Sequence, residues 1–161
     1  MRRLPFLLLA LLLAACSSID CPVNSLVQTF YKVCDSDGNE MKLTDTMSVI
    51  STRSDGTDTI LYNKGIGISE FHLDISYSHP EDILFFHFNN SNKGIQAIDT
   101  VWVKKEDYPH FESVDCNSAF FHTITNVRST HNYIDSIVIN NPSVTYDYET
   151  VHFRLYPKNS D

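Results

Sequence analysis

Residues 71–77 read Phe71-His72-Leu73-Asp74-Ile75-Ser76-Tyr77, with an apolar residue at every odd position and a polar one at every even position. Successive side chains of an extended chain point to opposite faces, so this period of two predicts a strand with one buried and one wet face. The same alternation recurs near the C-terminus, where Val151, Phe153 and Leu155 are interleaved with His152, Arg154 and Tyr156. On this reading His72, His87 and His152 lie on the polar sides of their strands, where histidine is ordinarily solvated.

Working outward, further runs rich in Val, Ile, Thr, Tyr and Phe lie at 26–34, 41–51, 58–63, 82–89, 95–104, 110–115, 119–127 and 131–140. Turn residues separate them: Asp35 to Asn39, Ser54-Asp-Gly56, Asn63-Lys-Gly65, His79-Pro80, Asn89 to Gly94, Tyr108-Pro109 and Asn140-Asn-Pro142. Short strands at this spacing, with no amphipathic helix between them, predict an all-β chain. The expected architecture is an antiparallel β-sandwich of immunoglobulin-like type with about eight to ten strands.

Of 161 residues only 11 are Pro or Gly, and 12 basic side chains face 20 acidic ones. The first figure excludes collagenous and low-complexity disordered classes. The acidic balance argues against nucleic acid, whose affinity comes from Lys and Arg neutralising phosphates, and against adsorption to anionic headgroups.

The N-terminus has its own grammar. Arg2 and Arg3 precede an apolar run from Leu4 to Leu13 and then small residues. About ten apolar residues are too few to span a bilayer, so the segment reads as a secretory signal. Leu13-Ala14-Ala15-Cys16 resembles the bacterial lipobox, in which the cysteine is acylated, with palmitate among the chains, after cleavage before it. One acyl chain holds a protein marginally and several hold it firmly. The expected division is a removed signal peptide at 1–15, an anchor and tether at 16–24, and one β-domain at 25–158. Removal of Arg2 and Arg3 leaves ten basic against twenty acidic side chains. Ser17, where inner-membrane retention would call for Asp, favours the outer membrane, facing either the periplasm or the outside.

Three thiols remain, Cys21, Cys34 and Cys116. In an oxidising compartment they allow one bridge and one spare thiol. Cys21 with Cys116 is favoured because the short lead around Pro22 needs tying down, with Cys34 to Cys116 as the competitor. No C-x-x-C occurs.

The second half carries His110-Phe-Glu-Ser-Val-Asp-Cys116, Phe120-Phe121, Ile134-Asp-Ser-Ile-Val-Ile-Asn-Asn-Pro142 and His152-Phe-Arg-Leu-Tyr156. It resembles a family of small Bacteroidota outer-membrane lipoproteins known only as a domain of unknown function. Members often have Gly after the cysteine, where this chain has Asn117. The resemblance implies an envelope lipoprotein and no reaction.

Candidate chemistry is sparse. Asp35-Ser-Asp-Gly-Asn-Glu40 has alternating oxygen ligands, but a calcium loop needs Gly at its sixth place and Glu at its twelfth, occupied here by Glu40 and Thr46. A hairpin turn explains it more simply. His110 and Glu112 share a strand face and could supply two metal ligands, with no third identifiable by spacing. No metal site, cofactor or catalytic residue is assigned, since G-x-S-x-G, H-E-x-x-H and phosphate-cradling loops are all missing. Asp-(Ser/Thr)-apolar occurs four times and resembles the acceptor motif for protein O-glycosylation in Bacteroidota, a resemblance that implies Thr46, Thr59, Thr100 and Ser136 as candidate acceptors. Asp then Thr is equally a natural entry to a strand.

Two strands are apolar on both faces. With Leu84, Phe86 and Phe88 inward, Ile83 and Phe85 face away; with Val101 and Val103 inward, Trp102 turns outward beside Thr100 and Lys104. Either the opposite face is the buried one, or the strands are covered on both sides, or Ile83, Phe85 and Trp102 form a binding patch. The expectation is a non-enzymatic, lipid-anchored subunit that binds or assembles with an outer-membrane or envelope protein. The alternatives are a carbohydrate-binding module using Trp102 and, more remotely, a metal-dependent hydrolase using His110 and Glu112.

Overall fold

The computed structural model describes residues 21, 27–90, 92–116 and 118–158. The expected signal peptide at 1–15, Cys16, Asn117 and all of the expected tether but Cys21 lie outside the described residues.

The described residues form ten strands: β1 (Gln28–Val33), β2 (Thr46–Thr52), β3 (Asp58–Gly65), β4 (Glu70–Asp74), β5 (Glu81–Asn90), β6 (Ile95–His110), β7 (Ala119–Ser129), β8 (Ile134–Ile139), β9 (Ser143–Val144) and β10 (Phe153–Pro157). They form a four-stranded sheet in the order β4-β1-β10-β8 and a six-stranded sheet in the order β3-β2-β5-β6-β7-β9. The chain is thus an all-β protein built from two packed sheets. Its strand pairs are antiparallel except β1 with β10, which run parallel with Tyr31 opposite Phe153. The first and last strands therefore lie side by side, an arrangement that local alternation cannot reveal.

Alternation fills the space between the sheets. Tyr31, Phe71, Phe86 and Phe153 pack as a ring cluster, with the Tyr31 centroid 4.9 Å from Phe71 and 4.7 Å from Phe153. Met47, Val49, Val101, Val103 and Leu155 complete the core around them. Phe88 stacks on Tyr133 at 3.9 Å, and the Tyr133 hydroxyl donates to buried Asp45 at 2.7 Å. The strand residues among these come from the apolar phase of their strands, as the period of two requires, while Asp45 and Tyr133 immediately precede β2 and β8.

Several local expectations are corrected. Tyr108-Pro109 is not a turn: β6 runs through it, and Pro109 lies opposite Phe120 of β7. Proline is tolerated there because β5 accompanies β6 only as far as Lys104, which leaves the other side of the strand unpaired. The strand expected at 110–115 is consequently absent, and residues 111–115 are the turn. His152 is not solvated. It precedes β10, is fully buried, accepts the Phe30 N–H on Nδ1 at 2.9 Å and donates from Nε2 to the Ser143 carbonyl at 3.1 Å. His72 is half-buried, stacked on Phe30 at 4.3 Å.

Candidate functional site

The outer face of the six-stranded sheet decides the question about Ile83, Phe85 and Trp102. In the register of β5 and β6, Ile83 stands opposite Trp102 and Phe85 opposite Thr100, while Leu84 pairs with Val101 in the core. All three patch residues therefore point away from the core and onto one surface. The row continues outward: β2 places Ile50 beside Phe85, and β3 places Ile60 beside Ile50. Ile60, Ile83 and Ile98 are 59%, 43% and 47% exposed. These exposed aliphatic side chains on β3, β5 and β6, joined by half-buried Ile50 of β2 between them, form an apolar surface of the kind that marks interaction sites in proteins of this size.

The patch has a polar rim. Arg128 of β7 is the register partner of Trp102, and its guanidinium lies over the indole, 4.1 Å from the ring centroid. The same guanidinium pairs with Glu81 at 3.3 Å. One face of the indole is thus occupied, and the cation is held by both a ring and a carboxylate. A groove of about 560 Å³ borders Ile83 and Phe85 and is lined also by Arg53, Asp55, Asp74 and His79. A smaller one of about 430 Å³ lies along Ile50, Ile60 and His87. Arg128, Ile50, Ile60 and Ile98 were not assigned from sequence. Ile50 could have been found by the phase of Met47 and Val49, but Arg128 joins the site only through strand register.

Beneath one end of this sheet lies a charged cluster. The Lys105 ammonium is buried, 3.3 Å from Asp82 and 3.9 Å from Asp107, and Asp107 bonds His122 at 2.6 Å. Burial pushes the Asp82 carboxyl above its ordinary range, against the opposing pull of Lys105. The signal was Lys104-Lys105 within a strand, since alternation must turn one of two adjacent lysines inward.

The other candidates separate. Cys21 and Cys116 form a disulfide with 5.5 Å between their Cα atoms, and Cys34 is a free, buried cysteine. The competing pair, Cys34 with Cys116, is thereby excluded. Asp35 to Glu40 is a hairpin turn: Asp35 accepts the backbone N–H groups of Asp37 and Asn39, Gly38 takes a positive φ of 84°, and Cys34 bridges Glu40. These bonds hold the Asp35 carboxyl below its ordinary range. His110 meets Glu112 at 2.8 Å and stacks on Phe121 at 4.1 Å. Among the described residues no three His, Cys, Asp or Glu side chains converge as metal ligands would. Thr46, Thr59, Thr100 and Ser136 are all half-buried within strands, and the Asp45 and Asp99 carboxylates that precede two of them are fully buried.

No curated protein and no solved structure matches the chain. Residues 46–157, from the start of β2 to the end of β10, match the family described as "Family of unknown function (DUF6452)". That span covers more than half of the chain and includes the whole outer face of the six-stranded sheet, and the chain belongs to this family of unknown function.

Proposed function

We propose that this protein is a lipid-anchored lipoprotein of the cell envelope, held at the outer membrane by acylated Cys16, that works by binding a partner protein rather than by catalysis. The observation that carries the binding role is the outward apolar row Ile60, Ile50, Phe85, Ile83 and Trp102. Its make-up, with an aromatic residue and an arginine at one edge and aliphatic neighbours, is that of an interface hot spot. The lipidated N-terminus is supported by the order of Arg2-Arg3, the apolar run and Leu13-Ala-Ala-Cys16. A tether confines the domain near one surface, so a modest patch can find a membrane-embedded partner at high effective concentration.

The carbohydrate reading shares the same residues. Against it stands Arg128, which covers one face of the indole on which a sugar ring would stack. The test is crosslinking in intact cells followed by mass spectrometry, comparing the wild type with Trp102→Ala. One reproducible envelope protein, lost in the variant while the protein remains anchored, is the expected result. Recovery of polysaccharide alone would favour the sugar-binding role, and recovery of no partner would defeat the proposal.

A further inference from the structure

The disulfide determines which end of the sandwich faces the anchor. Cys21 is five residues from Cys16, and five residues of any conformation reach at most roughly 17 Å. Because Cys21 is bridged to Cys116, the acyl chains are confined close to the turn that joins β6 to β7. Without the bridge the first fixed point would be β1 at Gln28, twelve residues from Cys16, and the reach would be roughly 40 Å. That radius would let almost any face of the domain meet the membrane.

The end so confined is unlike the rest of the surface. Val114 is 99% exposed and Phe111 67% exposed, both in the turn that carries Cys116. Behind them stand aromatic rings on both faces of the hairpin. Tyr77 stacks on Phe120 at 4.8 Å, and Phe121 packs edge-on against Tyr108 and Tyr146. Apolar tips backed by a collar of Tyr and Phe are what a protein presents at a bilayer interface. Glu112 and Asp115 flank the tips, so the matching surface is a neutral, zwitterionic headgroup layer rather than an anionic one.

We propose that the turn between β6 and β7 is a second, non-covalent membrane contact that inserts Phe111 and Val114 into the lipid layer holding Cys16, and that the Cys21–Cys116 disulfide keeps it there. The proposal rests on acylation of Cys16, as argued above. It also deepens the binding role. Trp102 lies eight residues along β6 from His110, about 26 Å at 3.3 Å per residue, so a tip seated at the membrane holds the outer apolar face at roughly that height. A partner reaching that far from the bilayer is the one selected.

The test uses the full lipoprotein extracted from membranes and reconstituted into phosphatidylcholine vesicles. Trp102→Phe removes the native tryptophan and Phe111→Trp places a reporter at the tip. Lipids brominated on their acyl chains should quench this tryptophan at least twofold more than the same substitution in a Cys16→Ala protein that stays in solution, and its emission should shift to the blue. A Cys21→Ser/Cys116→Ser version, folded by circular dichroism and still sedimenting with vesicles, should lose that quenching. A sedimenting, acylated protein whose tip tryptophan emits as in water would overturn the insertion and leave the anchor standing. Absence of acyl mass on Cys16 would overturn the anchor and the proposal together. Protection of the tip only on addition of envelope proteins would assign this surface to a protein.

Discussion

Asp99 shows how much of this fold depends on one carboxylate. It is fully buried and accepts from the backbone N–H groups of Asn132, Tyr133 and Ile134 and from the Thr130 hydroxyl, all at 2.7–2.8 Å. It thereby fixes the turn from β7 into β8. Asp99→Ala leaves three N–H groups without partners, and we expect a loss of about 3 kcal/mol or more in urea unfolding. His152 supplies a pH dependence. Burial first, and the neighbouring His72 in lesser part, lowers its pKa below 6.5, while the unfolded residue keeps the ordinary value. Its stabilisation is therefore complete above pH 6.5 and is lost as pH falls through the depressed folded value. The thermal midpoint should decline as pH falls below about 6.5, and His152→Gln should flatten that slope. A slope unchanged in the variant would place the titration elsewhere. Cys34 is buried and its thiol is pushed up chiefly by that burial, so the folded protein should resist a thiol reagent that labels it after denaturation.

Strand β6 connects the scales. Its alternation puts Val101 and Val103 in the core, Trp102 on the outer face and Lys105 in the charged cluster, and its far end carries the tip with Phe111 just beyond. One mistaken phase would have exchanged all of these roles, because a slip of a single residue turns every side chain over. The sequence allowed both phases for β5 and β6, since both faces are apolar, and it missed the continuation through Pro109. That residue reads as a turn unless the unpaired side of the strand is known. The Cys21–Cys116 bridge joins the N-terminal lead to the end of this strand across a separation of 95 residues. In the chain-entropy account such a loop contributes up to about 5 kcal/mol. Reduction, or the paired serine substitutions, should lower unfolding stability by no more than that and leave the strand content intact by circular dichroism. Collapse to an unfolded chain would mean that the two sheets cannot hold together without the bridge.

At the scale of the molecule, the domain is an acidic two-sheet sandwich with an apolar outer face, and the proposed anchor would hold it by its aromatic end. The intact mass of the mature protein tests two features together. Because Thr46, Thr59, Thr100 and Ser136 are half-buried in strands, the expected mass is that of residues 16–161 with acyl groups alone. Additional hexose-sized increments would show that the Asp-(Ser/Thr) sites are glycosylated. The sequence by itself determined the all-β class, most strand positions and the buried phase of strands with one apolar face, because period-two alternation is a local consequence of burying one face. It also favoured the right cysteine pair. Only the tertiary structure decided which face of β5 and β6 is covered, that β1 lies parallel to β10, that His152 is buried, and that Arg128 meets Trp102. Those outcomes depend on contacts between residues far apart in the chain, where register and sheet order, rather than local pattern, determine which side chains share a surface.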